Sequence, residues 1–148
     1  MLTRIDHVGI ACRNLEQTVE RYCSVFGLSV ASREVLEEQG VREAMLLVAP
    51  GGAQGPVPGA SYIQLLEPLS GDTPVGKFLA RRGEGIHHIG YAVDDVRSAL
   101  AEVGGTGVRL IDERPRHGSL GASIAFLHPA DLGGVLTELV EPKRPQDG

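Results

Sequence analysis

The sequence predicts an α+β fold in which two βαβββ modules in tandem form a curved mixed sheet. Three observations carry this expectation. The chain repeats short motifs at the start and the end of each half. Each half shows the same run of one strand, one helix and three strands. The polar residues that interrupt otherwise apolar strands fall at the repeated positions.

Repeats come first, because a repeated unit constrains the whole architecture. His7-Val8-Gly9-Ile10-Ala11, followed by Arg13-Asn14-Leu15-Glu16, returns as His88-Ile89-Gly90-Tyr91-Ala92, followed by Asp94-Asp95-Val96-Arg97, an offset of 81 residues. Later in each half, Ile63-Gln64-Leu65-Leu66-Glu67-Pro68 returns as Thr137-Glu138-Leu139-Val140-Glu141-Pro142, an offset of 74. The shorter second offset places extra residues in the first half, and the Gly/Pro-rich stretch Pro50 to Gly59 reads as the surface loop that holds them.

The elements follow in order. Ile5 to Ala11 alternates apolar with polar or small residues, a strand pattern. Asn14 is placed to cap a helix from Leu15 to Phe26, with Leu15, Val19, Tyr22 and Phe26 at helical spacing and Gly27 as the stop. Leu28 to Leu36, Glu43 to Ala49 and Ser61 to Leu66 read as strands. Leu69 to Gly85 links the halves and carries a short helix at Val75 to Arg82. The second half gives a strand at His88 to Val93 and a helix from Val96 to Val103, ended by Gly104-Gly105. Strands follow near Val108 to Asp112, Ala122 to His128 and Val135 to Val140. This is one domain over residues 1–148, with pseudo-repeats 3–68 and 86–142 and a linker 69–85; the charged tail Lys143 to Gly148 reads as frayed.

Composition narrows the function. A hydrophobic content of 42% is enough for a packed core. A net charge of −5, from 14 basic and 19 acidic residues, argues against a nucleic-acid binder, which needs a basic face. There is no membrane-length apolar run and no apolar leader after Met1. Cys12 and Cys23 make no disulfide framework, so two reduced thiols and a cytoplasmic location are expected.

The repeat also preserves an oddity. It keeps a histidine early and a Gln or Glu late in each half, on strands that are otherwise apolar. Polar groups on buried strands are costly unless they are paired or coordinated. Glu138 shares a strand face with Leu136 and Val140, and Gln64 with Tyr62 and Leu66. Pseudo-two-fold packing of the halves would bring His7, Gln64, His88 and Glu138 to the concave face of one sheet, as the ligands of one divalent ion. Two imidazoles, a carboxylate and an amide oxygen suit Co²⁺ foremost, with Mn²⁺, Ni²⁺, Zn²⁺, Fe²⁺ and Mg²⁺ as further candidates. The other histidines are read as non-ligands: His87 points to the opposite strand face, His117 sits in a loop, and His128 ends a strand before Pro129.

With these residues in place, the chain resembles the vicinal oxygen chelate superfamily and, within it, the methylmalonyl-CoA epimerase family. The resemblance rests on Ile5-Asp6-His7-Val8-Gly9-Ile10-Ala11, Glu38-Gln39-Gly40-Val41, Gln64-Leu65-Leu66-Glu67-Pro68, Gly83-Glu84-Gly85-Ile86-His87-His88-Ile89, and His128-Pro129 through Gly134-Val135-Leu136-Thr137-Glu138-Leu139. It spans Ile5 to Pro142. Two places depart from the family pattern: the Pro50 to Gly59 loop is longer, and Ala130 and Leu132 stand where a lysine and a cysteine are common.

The resemblance implies an isomerase that interconverts (R)- and (S)-methylmalonyl-CoA by C2 proton abstraction through a metal-stabilised enolate, with an acyl-CoA substrate and a homodimeric state. It implies Glu43 as the base. A carboxylate beside apolar Met45 would have its pKa raised into a useful range. Glu138 or a water would be the second acid or base. Arg114 and Arg116, or Lys77, Arg81 and Arg82, would meet CoA phosphates, and Ser119 the acyl carboxylate. The competing readings are a glyoxalase I-like lyase acting on a glutathione thiohemiacetal and a metal-free binding or resistance module. Retention of all four ligand positions weighs against the latter.

Overall fold

The computed structural model describes residues 1–53, 57 and 59–144 of the chain. Eight strands and three α-helices follow the order β1 (Leu2–Ala11), α1 (Leu15–Phe26), β2 (Ser29–Leu36), β3 (Val41–Val48), β4 (Ser61–Pro68), α2 (Pro74–Arg82), β5 (Gly85–Val93), α3 (Val96–Gly104), β6 (Arg116–His117), β7 (Ser123–Leu127) and β8 (Thr137–Glu141). Two βαβββ modules are therefore present, with α2 in the segment between them. The strands hydrogen-bond in the order β2-β3-β4-β1-β5-β8-β7-β6. Within each module the first strand runs parallel to the last, β1 with β4 and β5 with β8, and the remaining pairs are antiparallel.

The chain divides into two compact units, His7–His87 on one side and Met1–Asp6 with the chain from His88 onward on the other. β1 passes through the division: Thr3 Oγ1 donates to the Ala92 carbonyl at 3.2 Å in one unit, while His7 to Ala11 pair with β4 in the other.

In the unit His7–His87, one sheet face packs on α1, where Leu15 and Val19 meet Ala44, Leu46 and Leu65. The opposite face is closed at one end by α2, where Val75 and Leu79 meet Ala11, Leu36, Val41 and Leu66. In the other unit, α3 covers one face through Val96, Ala99 and Leu100 against Ala125, Leu127 and Leu139. The opposite face carries Ile124, Phe126 and Val140.

The helix ends follow from local chemistry. Asn14 accepts from Gln17 N at 3.0 Å, and Gly27 closes α1 with a left-handed φ of 68°. Asp95 accepts from Ser98 N at 2.9 Å at the start of α3. Thr73 caps α2, accepting from Gly76 N at 3.1 Å. The repeated Glu-Pro ending of β4 and β8 also has a structural cause. Glu67 Oε1 accepts from Leu15 N at 3.1 Å and Glu141 Oε1 accepts from Val96 N at 2.9 Å. Each module thus places a carboxylate from its last strand at the N-terminus of its own helix, satisfying an orphan donor and the helix dipole together.

One expected strand is corrected. Val108 to Asp112 forms no regular strand; Leu110 makes an isolated bridge with Leu127. The ladder breaks because the Ile111 and Asp112 amides both reach the Phe126 carbonyl, at 2.9 and 3.1 Å. The Phe126 amide then turns to the Asp112 side chain, Oδ2, at 2.9 Å. The edge strand forms further on instead, as the two-residue β6, so His117 lies on a strand paired with Ser123 rather than in a loop. Of the Pro50 to Gly59 stretch, Pro50–Gly52 is a 3-10 turn; residues 54–56 and 58, and the expected frayed tail from residue 145, lie outside the described residues. Cys12 and Cys23 are free thiols. Burial pushes the Cys12 thiol up to about 11, which makes it a poor nucleophile at neutral pH. Among the described residues no helix is long and apolar enough to cross a membrane.

Candidate active site

Each unit presents its polar residues on the sheet face opposite its helix α1 or α3. In the unit His7–His87, β1 and β4 pair His7 with Tyr62 and Gly9 with Gln64. β4 and β3 pair Gln64 with Met45 and Leu66 with Glu43. Paired residues point to one side, and alternation adds the residues two away. His7, Gln64 and Glu43 therefore share a face, at 3%, 3% and 0% exposure. Gln64 Nε2 stands 3.5 Å from Glu43 Oε2, the long limit of a hydrogen bond. Glu43 is the third residue of β3 and wholly buried, not a solvated glutamate at a strand end.

The unit carrying His88 repeats this arrangement. Gly90 pairs with Glu138 across β5 and β8, and Phe126 pairs with Glu138 across β8 and β7. His88 is 2% exposed and Glu138 4%. His88 Nε2 lies 3.6 Å from Glu138 Oε2. That is too long for a hydrogen bond but fits two ligands of one ion, since donors about 2.1 Å from a shared metal stand roughly 3 to 4 Å apart. The donor chemistry, a buried imidazole nitrogen beside a buried carboxylate oxygen, thus fits a divalent cation. The His88 ring also meets Phe126 edge-on at 5.5 Å.

The two registers explain the His-x-Gly motif. The glycine two residues after each histidine stands directly opposite the Gln or Glu, Gly9 across from Gln64 and Gly90 across from Glu138. A side chain there would project from the same sheet face as the histidine and the amide or carboxylate.

The remaining expectations are placed as follows. Arg116 lies on β6, paired with Ile124 and so on the same sheet face as Phe126 and Glu138. It forms an ion pair with Asp112 at 3.1 Å. Arg114 is exposed, and Ser119 is half-buried at the start of a 3-10 turn, Ser119–Gly121. Lys77, Arg81 and Arg82 are exposed on α2, with Arg82 over the Phe78 ring at 5.8 Å. His87 turns to α2, meeting Phe78 edge-on at 5.0 Å, and burial pulls its pKa down to about 4, so it is neutral at pH 7. His128 Nδ1 accepts from Ala130 N at 3.1 Å, a cap rather than a ligand. Leu132, at a departure from the family pattern, packs with Val103, Val108 and Leu110 on the α3 core. Sequence reasoning missed Asp112, because it ended an expected strand and nothing in the pattern marks a carboxylate whose backbone leaves the ladder.

Comparison with known proteins bears directly on this geometry. The profile of the Glyoxalase/Bleomycin resistance protein/Dioxygenase superfamily matches residues 6–126, and the chain belongs to that superfamily. A glutamate-to-glutamine variant of Streptomyces coelicolor methylmalonyl-CoA epimerase, solved with 2-nitronate-propionyl-CoA, is 51% identical, with a TM-score of 0.89 over 97% of this chain and 100% of that one. Dictyostelium discoideum mitochondrial methylmalonyl-CoA epimerase is 34% identical over 93% of this chain and 78% of its own. An uncharacterised Bacillus subtilis protein, YqjC, is 37% identical over 98% and 96%. The resemblance noted from the sequence holds: the characterised relatives are isomerases, methylmalonyl-CoA epimerases.

Proposed function

We propose that this chain is a metal-dependent epimerase that interconverts (R)- and (S)-methylmalonyl-CoA by moving the proton on C2. The observation that carries the reading is Glu43, a fully buried carboxylate next to Gln64 on the site face, in a chain 51% identical to an epimerase solved with an acyl-CoA analogue.

His7, His88 and Glu138 would supply nitrogen and carboxylate donors to one divalent ion, and Gln64 its amide oxygen. When bound, that ion supplies a Lewis acid for the oxygen that gains negative charge. The rest of the chemistry belongs to the side chains. Glu43 takes the proton from C2, and the electron pair of the broken C–H bond moves into the thioester carbonyl to give an enolate. Glu43 is wholly buried, with buried Met45 two residues along β3 and buried Leu66 opposite it on β4, which keeps bulk water from the base. A proton delivered to the opposite face of C2 inverts the centre; Glu138 is the candidate donor, with a water as the other. Ser119 and Arg116 are the candidate substrate contacts. A single domain over 1–148 with repeats 3–68 and 86–142 and linker 69–85 belongs to the same reading on the strength of the sequence repeats, a cytoplasmic location on the reduced thiols, and a homodimer on the likeness to the family.

The test is solvent deuterium uptake at C2 of methylmalonyl-CoA, followed by mass spectrometry. Fast uptake by metal-loaded protein is expected to stop in chelator and to fall at least about 10²-fold in Glu43→Gln, the scale of a lost general base. No uptake by the metal-loaded protein overturns the substrate assignment and makes glutathione thiohemiacetals the next substrates to assay.

A further inference from the structure

Arg116 and Asp112 form a unit that the proton-transfer chemistry does not use. Asp112 makes two contacts that fix its carboxylate. Oδ1 lies 3.1 Å from Arg116 Nε, an ion pair by distance without hydrogen-bond alignment, and Oδ2 accepts from the Phe126 amide at 2.9 Å. The Arg116 guanidinium lies over the Phe126 ring at 5.7 Å. The same ring meets His88 edge-on at 5.5 Å, and Phe126 is the cross-strand neighbour of Glu138. A cation is thus held one aromatic ring away from the paired imidazole and carboxylate, on their own sheet face. Asp112 engages only the Nε edge. Among the described residues, the terminal nitrogens of Arg116 meet no other side chain, and the residue is partly exposed.

We propose that Asp112 is a positioning residue that locks Arg116 against Phe126, so that the terminal guanidinium nitrogens bind the free carboxylate of a malonyl-type acyl group. This rests on the epimerase reading. Three physical points favour it. A planar guanidinium offers two parallel N–H groups that match a carboxylate. Stacking on Phe126 and pairing with Asp112 fix the side chain in advance, so little rotamer entropy is lost on binding. The position one ring from His88 suits the acyl end of the substrate, whereas the phosphates of CoA lie at the far end of the long pantetheine arm. The break in the expected strand Val108 to Asp112 then has a functional reason, because a continuous ladder would pair the Phe126 amide with backbone and release the Asp112 carboxylate.

The test measures affinities of the metal-loaded protein for methylmalonyl-CoA and for propionyl-CoA, which lacks the carboxylate, in wild type, Arg116→Gln, Arg116→Lys and Asp112→Asn. In Arg116→Gln, methylmalonyl-CoA should bind at least about tenfold more weakly while propionyl-CoA is unchanged, since hydrogen bonds between charged groups are the strong ones. Arg116→Lys should recover part of the loss. Asp112→Asn should lose part of the preference for methylmalonyl-CoA with propionyl-CoA affinity kept, and that retained affinity reports an intact fold. Equal losses for both ligands in Arg116→Gln would overturn the proposal in favour of a phosphate contact, and no change in either would overturn it outright. Deuterium uptake by the wild type, run alongside, separates failure of the epimerase reading from failure of this one.

Discussion

Glu43 has no solvent exposure, and Gln64 Nε2 stands 3.5 Å from its Oε2, at the long limit of hydrogen bonding. A carboxylate in that position is costly to the fold, and functional sites are where proteins keep such groups. Replacing it with an apolar residue of similar size should therefore stabilise the chain while destroying its chemistry. Glu43→Leu is expected to unfold with a stability about 1–3 kcal/mol higher than wild type, measured by urea denaturation, and to show no deuterium uptake. A loss of stability would mean that Glu43 is fully compensated by its neighbours. The glycines Gly9 and Gly90 make the complementary point. Each stands directly opposite Gln64 or Glu138, so no side chain of its own projects beside them on the site face.

At the scale of elements, the two modules solve the same problem in the same way. Each parallel pair, β1 with β4 and β5 with β8, sets a histidine strand beside a Gln or Glu strand. Each closes its own helix with the glutamate three residues past that polar side chain. Glu67 and Glu141 read from the sequence only as the repeated end of a strand motif, and the structure uses them as helix caps. Glu141→Ala is expected to cost about 1 kcal/mol, the usual value of an N-terminal capping interaction. Equilibrium unfolding should show this with metal affinity unchanged. A fall in metal affinity without a fall in stability would overturn the capping role and place Glu141 in the site. The irregular passage through Leu110 to Asp112 is the one element the strand pattern misjudged. Its apolar spacing was right, but two amides converge on the Phe126 carbonyl and a carboxylate takes the Phe126 amide. Side-chain competition of this kind leaves no periodic trace.

For the whole molecule, an ion held by residues from both halves of the sequence would bind the folded chain and not the unfolded one. Stability should then rise with ion concentration, by about 2.7 kcal/mol at a hundred times the dissociation constant. Calorimetry should show the melting temperature climbing with added Co²⁺ or Mn²⁺, returning to its starting value in chelator, and losing its dependence on the ion in His88→Ala. A melting temperature indifferent to the ion would remove the metal from the proposed function.

The sequence by itself determined the modular plan, because repetition and hydrophobic periodicity are properties of order along the chain. Asn14, Asp95, Gly27 and the strand alternation act within a few residues of themselves, so α1, α3 and every strand but β6 stand within a few residues of where the pattern puts them. It also marked His7, Gln64, His88 and Glu138, since duplication made four polar residues on apolar strands conspicuous. Tertiary structure alone decided what those strands bring together. The burial of Glu43, its approach to Gln64, the glycine opposite each polar ligand candidate, and the hold of Asp112 on Arg116 and Phe126 all depend on which residues face each other across strands. Register between strands is fixed by packing over the whole sheet, and no stretch of sequence states it.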